Sequence, residues 1–174
     1  NLLEQFEPFC QRVAIAGSIR RGKPEVKDIE IVAMPHLTEV RDMFNNSTGH
    51  ISMLDDFNFS SIGNVLKNGP RFKQIELPEG ITLDLFIVMP PAEWGSIFAI
   101  RTGPDDFNVW LMTPRRKGGA MPGFLKQRDG VLWHGKEVIS TPEEDDYFNA
   151  LGLPYIEPSE RQPRWNINPV HTPA

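Results

Sequence analysis

Cysteine is almost missing from this sequence. Cys10 stands alone, so no internal disulfide can form and the fold has to be held by packing. A single cysteine agrees with a reducing compartment, the cytoplasm, and Cys10 itself reads as a small buried apolar side chain. Long hydrophobic runs are lacking too. The longest, about "LFIVMPPA", is far too short to span a bilayer, and no charged segment followed by an apolar one marks a secretory signal. The chain begins at Asn1 rather than methionine, which leaves room for residues before it. Positive charge is in deficit: 18 Lys and Arg stand against 23 Asp and Glu, a net charge of −5. That excludes a general binder of polyanions, so any nucleic-acid site has to be a local basic patch. The four histidines, His36, His50, His134 and His171, lack metal-ligand spacing and receive no function. There is no internal repeat and no low-complexity segment.

What is present describes a globular chain. Its 174 residues are 40% hydrophobic and 24% charged, enough for one domain or two small lobes. "LLEQFEPFC" has the spacing of a short amphipathic helix, and "RVAIAG" that of a buried strand ending at Gly17. "VKDIEIVAM" reads as a second strand closed by Pro35, "RFKQIEL" as a third and "ITLDLFIVM" as a fourth, the last two joined by a tight "PEG" turn. In the less clear stretch 36–64, "EVRDMF" suggests a helical turn and "NNSTGH" a loop. Pro90-Pro91 breaks the chain and sets an expected lobe boundary, dividing it into 1–91 and 92–174. Beyond it, "WGSIFAIRTG" and "PDDFNVWLM" predict helices, "FLKQRDGVLWHGKEV" a hairpin or small meander, and "PEEDDYFNALG" an acidic helix. The proline-rich tail from Leu153 predicts extended chain. Trp94, Trp110, Trp133 and Trp165 read as core or lobe-packing residues, with Trp165 set apart by its place beside Arg161 and Arg164.

Two acidic residues interrupt the second strand. Alternate strand residues share a face, so Asp28 and Glu30 point one way while Ile29 and Ile31 point into the core. Asp84 stands likewise between Leu83 and Leu85. If those strands are neighbours, three carboxylates converge on one face. Like charges that close repel unless a cation lies between them, and hard oxygen ligands suit Mg²⁺ or Mn²⁺. Two such ions can clamp the attacking and leaving oxygens of a phosphoryl transfer. A solvated face of ordinary acids is the alternative. Just upstream, Gly17 allows close backbone approach to a ligand, the amides after it can cradle an anion, and Ser18 adds a hydroxyl. Arg20 or Arg21 adds a planar fork for phosphate oxygens. A phosphate cradle beside an acidic metal face is what a nucleoside triphosphate requires.

Four segments together resemble the nucleotidyltransferase superfamily and, within it, the family X (polymerase beta-type) DNA polymerases. They are "GSIRRGKPEVKDIEIV" (17–32), "LDLF" (83–86), "RTGPDDFN" (101–108) and "LGLPYIEPSER" (151–161). The resemblance implies an α+β fold: a mixed nucleotidyltransferase palm sheet flanked by helices over 1–91, then a small α+β thumb, the nucleotide-selection lobe, over 92–174. It implies a DNA-directed DNA polymerase that adds dNMP from dNTP to a primer 3′-OH in short-gap repair. Asp28, Glu30 and Asp84 would be the catalytic metal ligands for two Mg²⁺ ions, with Mn²⁺ able to substitute, and Asp84 would lie nearest the 3′-hydroxyl. Gly17, Ser18 and Arg21 would hold the β- and γ-phosphates, and Gly103, Asp105 and Asn108 would line the base and sugar. Arg20 reads instead as a structural or domain-contact arginine. Lys67, Arg71 and Lys73 in "LKNGPRFK", and Arg115, Arg116 and Lys117 in "TPRRKGG", are the expected phosphate contacts on primer–template or gapped DNA. The implied protein is a monomer without membrane association, in a bacterial cytoplasm or that of a phage host. Glu30 stands where the polymerase beta pattern has Asp, Ile100-Arg101 replaces an aromatic pair, and Met112 replaces a minor-groove arginine. The family's lyase domain and helix-hairpin-helix subdomain have no counterpart in these residues. A template-independent nucleotidyltransferase acting on a non-DNA acceptor is the alternative reading.

Overall fold

The computed structural model describes residues 1–165; His171 and the last part of the proline-rich tail lie outside the described residues. The chain is α+β, and it divides into two compact units, Asn1–Ile15 with Glu25–Met89, and Ala16–Pro24 with Pro90 onward. The short stretch around Gly17–Arg21 thus belongs to the second unit rather than to the residues on either side of it. No helix among the described residues is long and apolar enough to cross a membrane.

The first unit opens with helix α1 (Leu2–Phe6), whose N-cap Asn1 side chain accepts from the Leu3 amide. Its sheet is built from β1 (Cys10–Ile15), β2 (Asp28–Pro35), β5 (Asn64–Asn68), β6 (Phe72–Glu76) and β7 (Thr82–Ile87), in the spatial order β1-β2-β7-β6-β5. The sheet is mixed: β2 and β7 run parallel at its centre, and the other pairs are antiparallel. β1 was expected to be buried but lies at an edge, and Val13, Ala14 and Ile15 are only half-buried. On one sheet face Ile31, Ala33, Ile75, Leu83 and Leu85 are wholly buried together with Phe6 and Leu54. Each large aliphatic side chain taken out of water here contributes about 1.5–3 kcal/mol. Burial also pushes the Cys10 thiol up to about 11, so at neutral pH it stays protonated and unreactive.

Two expectations fail between 36 and 64. "EVRDMF" is not a helical turn: β3 (Leu37–Arg41) pairs with β4 (Ser47–Ser52), which occupies much of the expected loop. The cause is local. The Asp42 carboxylate accepts from the Phe44 and Asn46 amides, and Asn45 takes a left-handed φ of 64°. That side-chain turn competes with helix and reverses the chain.

The second unit contains α2 (Gly17–Arg20), α3 (Trp94–Thr102), α4 (Asp105–Met112) and α5 (Glu144–Ala150), with a meander of β8 (Lys126–Arg128), β9 (Val131–His134) and β10 (Glu137–Ile139). α5 starts with a capping box between Glu143 and Asp146. Trp110, Phe107, Leu111, Leu132, Tyr147, Phe148 and Leu151 form the core. The described part of the tail is irregular, apart from one 3₁₀ turn at Pro158–Glu160.

A buried ion network ties this unit together. Arg20 donates to both oxygens of Glu144, one at 2.8 Å, and to the Thr102 hydroxyl at 2.7 Å, with its guanidinium 3.8 Å from the Phe98 ring centroid. From the tail, Arg161 brings Nη1 within 3.0 Å of Glu144 Oε2, an ion pair not angled as a hydrogen bond, and donates through Nε to Ile156 O at 2.9 Å. Burial pulls the Arg161 guanidinium below the usual arginine range, Glu144 pulls it back, and Arg20 adds to the depression. One carboxylate therefore holds α2 and the tail at once.

Glu144→Gln should cost about 3–5 kcal/mol of stability in a denaturant titration, because it strands buried guanidinium charge; a loss below about 1 kcal/mol would show the network to be incidental. At Gly95, an added Cβ would overlap the carbonyl oxygens of Thr141 and Glu143, which are backbone and cannot swing away. Gly95→Ala should therefore lower stability by about 1–3 kcal/mol, read as a shift in the denaturation midpoint.

Candidate active site

The parallel pairing of β2 with β7 sets the site. In register, Asp28 faces Thr82, Glu30 faces Asp84, and Val32 faces Phe86. Because Ile29, Ile31, Leu83 and Leu85 take the core side, Asp28, Glu30 and Asp84 share the opposite face. Glu30 and Asp84 are direct neighbours, on strands about 4.8 Å apart. Along β2 that face dries out in steps: Asp28 is exposed, Glu30 half-buried and Val32 fully buried. The acids sit at the wet end.

The row continues across the sheet. Gln74 on β6 is opposite Asp84 and donates from Nε2 to Asp84 Oδ1 at 2.9 Å. Lys67 on β5 is opposite Gln74, with its ammonium 5.6 Å from the Phe72 ring centroid. Glu30, Asp84, Gln74 and Lys67 thus form one line over four strands. The sequence reading missed Gln74, yet the tight turn after Glu76 contained the signal. A hairpin that pairs Glu76 with Thr82 must pair Gln74 with Asp84.

The donor set has the chemistry of a hard divalent-cation site: carboxylate oxygens from two adjacent strands on one face. Among the described residues, however, no three His, Cys, Asp or Glu side chains are already gathered into a group that could hold a metal ion. The fit lies in donor type and strand register, and a cation would have to draw the side chains together.

In the second unit, Gly17 takes a left-handed φ of 62° and opens α2, placing Ser18 in its first turn. Arg21 does not project freely. Its Nη1 donates to Thr102 O at 2.6 Å, and its Nε is buried without a hydrogen-bond partner. Gly103 is buried at the C-cap of α3, with φ 67°, close enough that a Cβ would meet Arg21 Nη1 at 3.0 Å. Asp105 is exposed at the start of α4. Asn108 is 8% exposed; its Nδ2 donates to Ile100 O at 2.7 Å, and its Oδ1 has no partner.

The expected DNA contacts divide. Lys67, Arg71, Arg116 and Lys117 are exposed. Lys73 is not: it is 4% exposed, on the same face of β6 as the buried Ile75, with Nζ 2.6 Å from Asn68 Oδ1 and 5.3 Å from the Phe59 ring centroid. Strand phase turns it away from the carboxylate face, which removes it from the phosphate contacts. Arg115 is half-buried and donates to the carbonyls of Ala120 and Leu151, so it serves as a clamp between its loop and the end of α5.

Residues 98–162 match the family model of the DNA polymerase beta thumb. Over 173 residues, covering 91% of this chain, the sequence is 28% identical to DNA polymerase lambda of Rattus norvegicus. The chain spans 30% of the length of that protein. The thumb match lies in the second unit and the alignment to polymerase lambda runs through the carboxylate strands as well, so both units of this chain are similar to family X DNA polymerases.

Proposed function

We propose that the chain is a DNA-directed DNA polymerase that transfers dNMP from dNTP to a primer 3′-OH and releases pyrophosphate. The observation that carries this reading is the β2–β7 register, which sets Glu30 against Asp84 with Asp28 on the same face. Asp28, Glu30 and Asp84 would hold two Mg²⁺ ions, or Mn²⁺ in their place. When bound, such ions neutralise and orient the attacking and leaving oxygens. In this reading Asp84 serves the primer end. Gly17, Ser18 and Arg21 hold the β- and γ-phosphates, and the unpaired Arg21 Nε is a donor for that task. Gly103, Asp105 and Asn108 line the base and sugar, Asn108 through its unpaired Oδ1. Lys67, Arg71, Arg116 and Lys117 contact the DNA backbone. We assign the reaction to short-gap repair by a monomer in a bacterial or phage-infected cytoplasm, in keeping with a single buried, unpaired cysteine. A template-independent transferase with a non-DNA acceptor is the rival. The net charge of −5 and the burial of Lys73 favour it.

Primer extension on gapped, recessed and single-stranded substrates with each dNTP and rNTP separates the two. Template-directed dNMP addition supports the first reading, and addition without template selects the rival. Asp84→Ala should abolish incorporation while leaving dNTP binding intact by equilibrium fluorescence; an active Asp84→Ala enzyme would remove the catalytic assignment. Four phosphate contacts give a slope of log K against log salt of about −3.6 on duplex DNA. Replacing Arg116 and Lys117 with Ala should flatten it by about 1.8, whereas Arg115→Ala should leave it unchanged. A wild-type slope near zero would move the assignment to the non-DNA acceptor.

A further inference from the structure

We infer that Gln74 is the positioning residue for Asp84: it fixes the rotamer of that carboxylate and decides which of its oxygens is left for a cation. The inference rests on the metal-dependent reading above. An ionised carboxylate only accepts hydrogen bonds, whereas a glutamine amide can donate from Nε2 and accept at Oε1. The contact of 2.9 Å between Gln74 and Asp84 Oδ1 therefore admits one orientation of the amide; a flipped amide would set two oxygens against each other. Both side chains are half-buried, so the charge-assisted bond is partly shielded from water.

The backbone holds this pair rigidly. Gln74 and Asp84 are opposite one another in an antiparallel ladder closed by a tight turn, while Asp84 is simultaneously opposite Glu30 in the parallel ladder. Asp84 thus stands between a donor on one side and a carboxylate on the other. Among the described residues, Gln74 is the hydrogen-bond partner of its side chain. With one lone pair of Oδ1 engaged, Oδ2 is the oxygen that keeps both lone pairs for a cation. Since no ready-made ligand group exists among the described residues, the orientation of Asp84 before a cation arrives is set by Gln74.

The test is Mn²⁺ binding by titration calorimetry on the full chain, with melting temperature as the control for folding. Gln74→Met keeps the length of the side chain and removes the donor; Gln74→Leu serves if the Met variant does not fold. The loss should raise the Mn²⁺ Kd by about 10–100-fold with the melting temperature held within a few degrees. In an Asp84→Ala background the same change should add less than about twofold, because its target is gone. An unchanged Kd in the Gln74 variant overturns the inference while leaving the metal site standing. So does an equal loss in both backgrounds, which would mean that Gln74 acts on the sheet at large. If Asp84→Ala binds Mn²⁺ as tightly as the wild type, the metal reading itself fails and takes the inference with it.

Discussion

A carboxylate cannot enter the core of the first unit without a partner, and this constraint fixes the β2–β7 register. Burying an unpaired ionised group costs several kcal/mol at the least. Side chains alternate with a period of two, so a slip by one residue would drive Glu30 and Asp84 into the space of Ile31 and Leu85. The aliphatic residues that build the core are thus the same ones that aim the acids outward. Fold and candidate site are specified by one pattern read on its two faces, and the flanking strands inherit their alignment from this central pair.

Much of that was legible in the sequence because alternation is a local signal. "KDIEIVAM" and "ITLDLFIVM" announce both the strands and their faces. The hairpin of β3 and β4 was not legible, since its strands are mostly exposed and carry no apolar stripe; only the Asx turn at Asp42 reveals it. Lys73 could have been placed correctly. It is two residues from Ile75 on β6 and must share its face, so strand phase rather than charge decides where it lies. Arg115 is different in kind. Its acceptor at Leu151 lies 36 residues away, and no local pattern encodes a contact at that distance.

Four arginines of the second unit are used on the protein itself. Arg20 and Arg21 are adjacent in sequence yet part company: one is spent on Glu144 and Thr102, the other on the Thr102 carbonyl. Arg161 and Arg115 are likewise held by internal oxygens. The chain is already short of positive charge, and the basic groups that do face solvent are others, Lys67, Arg71, Arg116 and Lys117 among them. Any attraction to a nucleic-acid backbone is then short-ranged and easily screened.

The assignment of Ala16–Pro24 to the second unit bears on how the polypeptide matures during synthesis. The segment leaves the ribosome early, while Glu144 and the tail that complete its surroundings emerge more than a hundred residues later. Until then Arg20 has no native counter-ion, and the closure spans a long loop whose entropic cost grows only slowly with length. A vectorial, unit-by-unit order is therefore closed to the second unit. Its assembly waits on α5 and the segment that carries Arg161, and a nascent chain stalled before α5 would hold only the first unit in finished form.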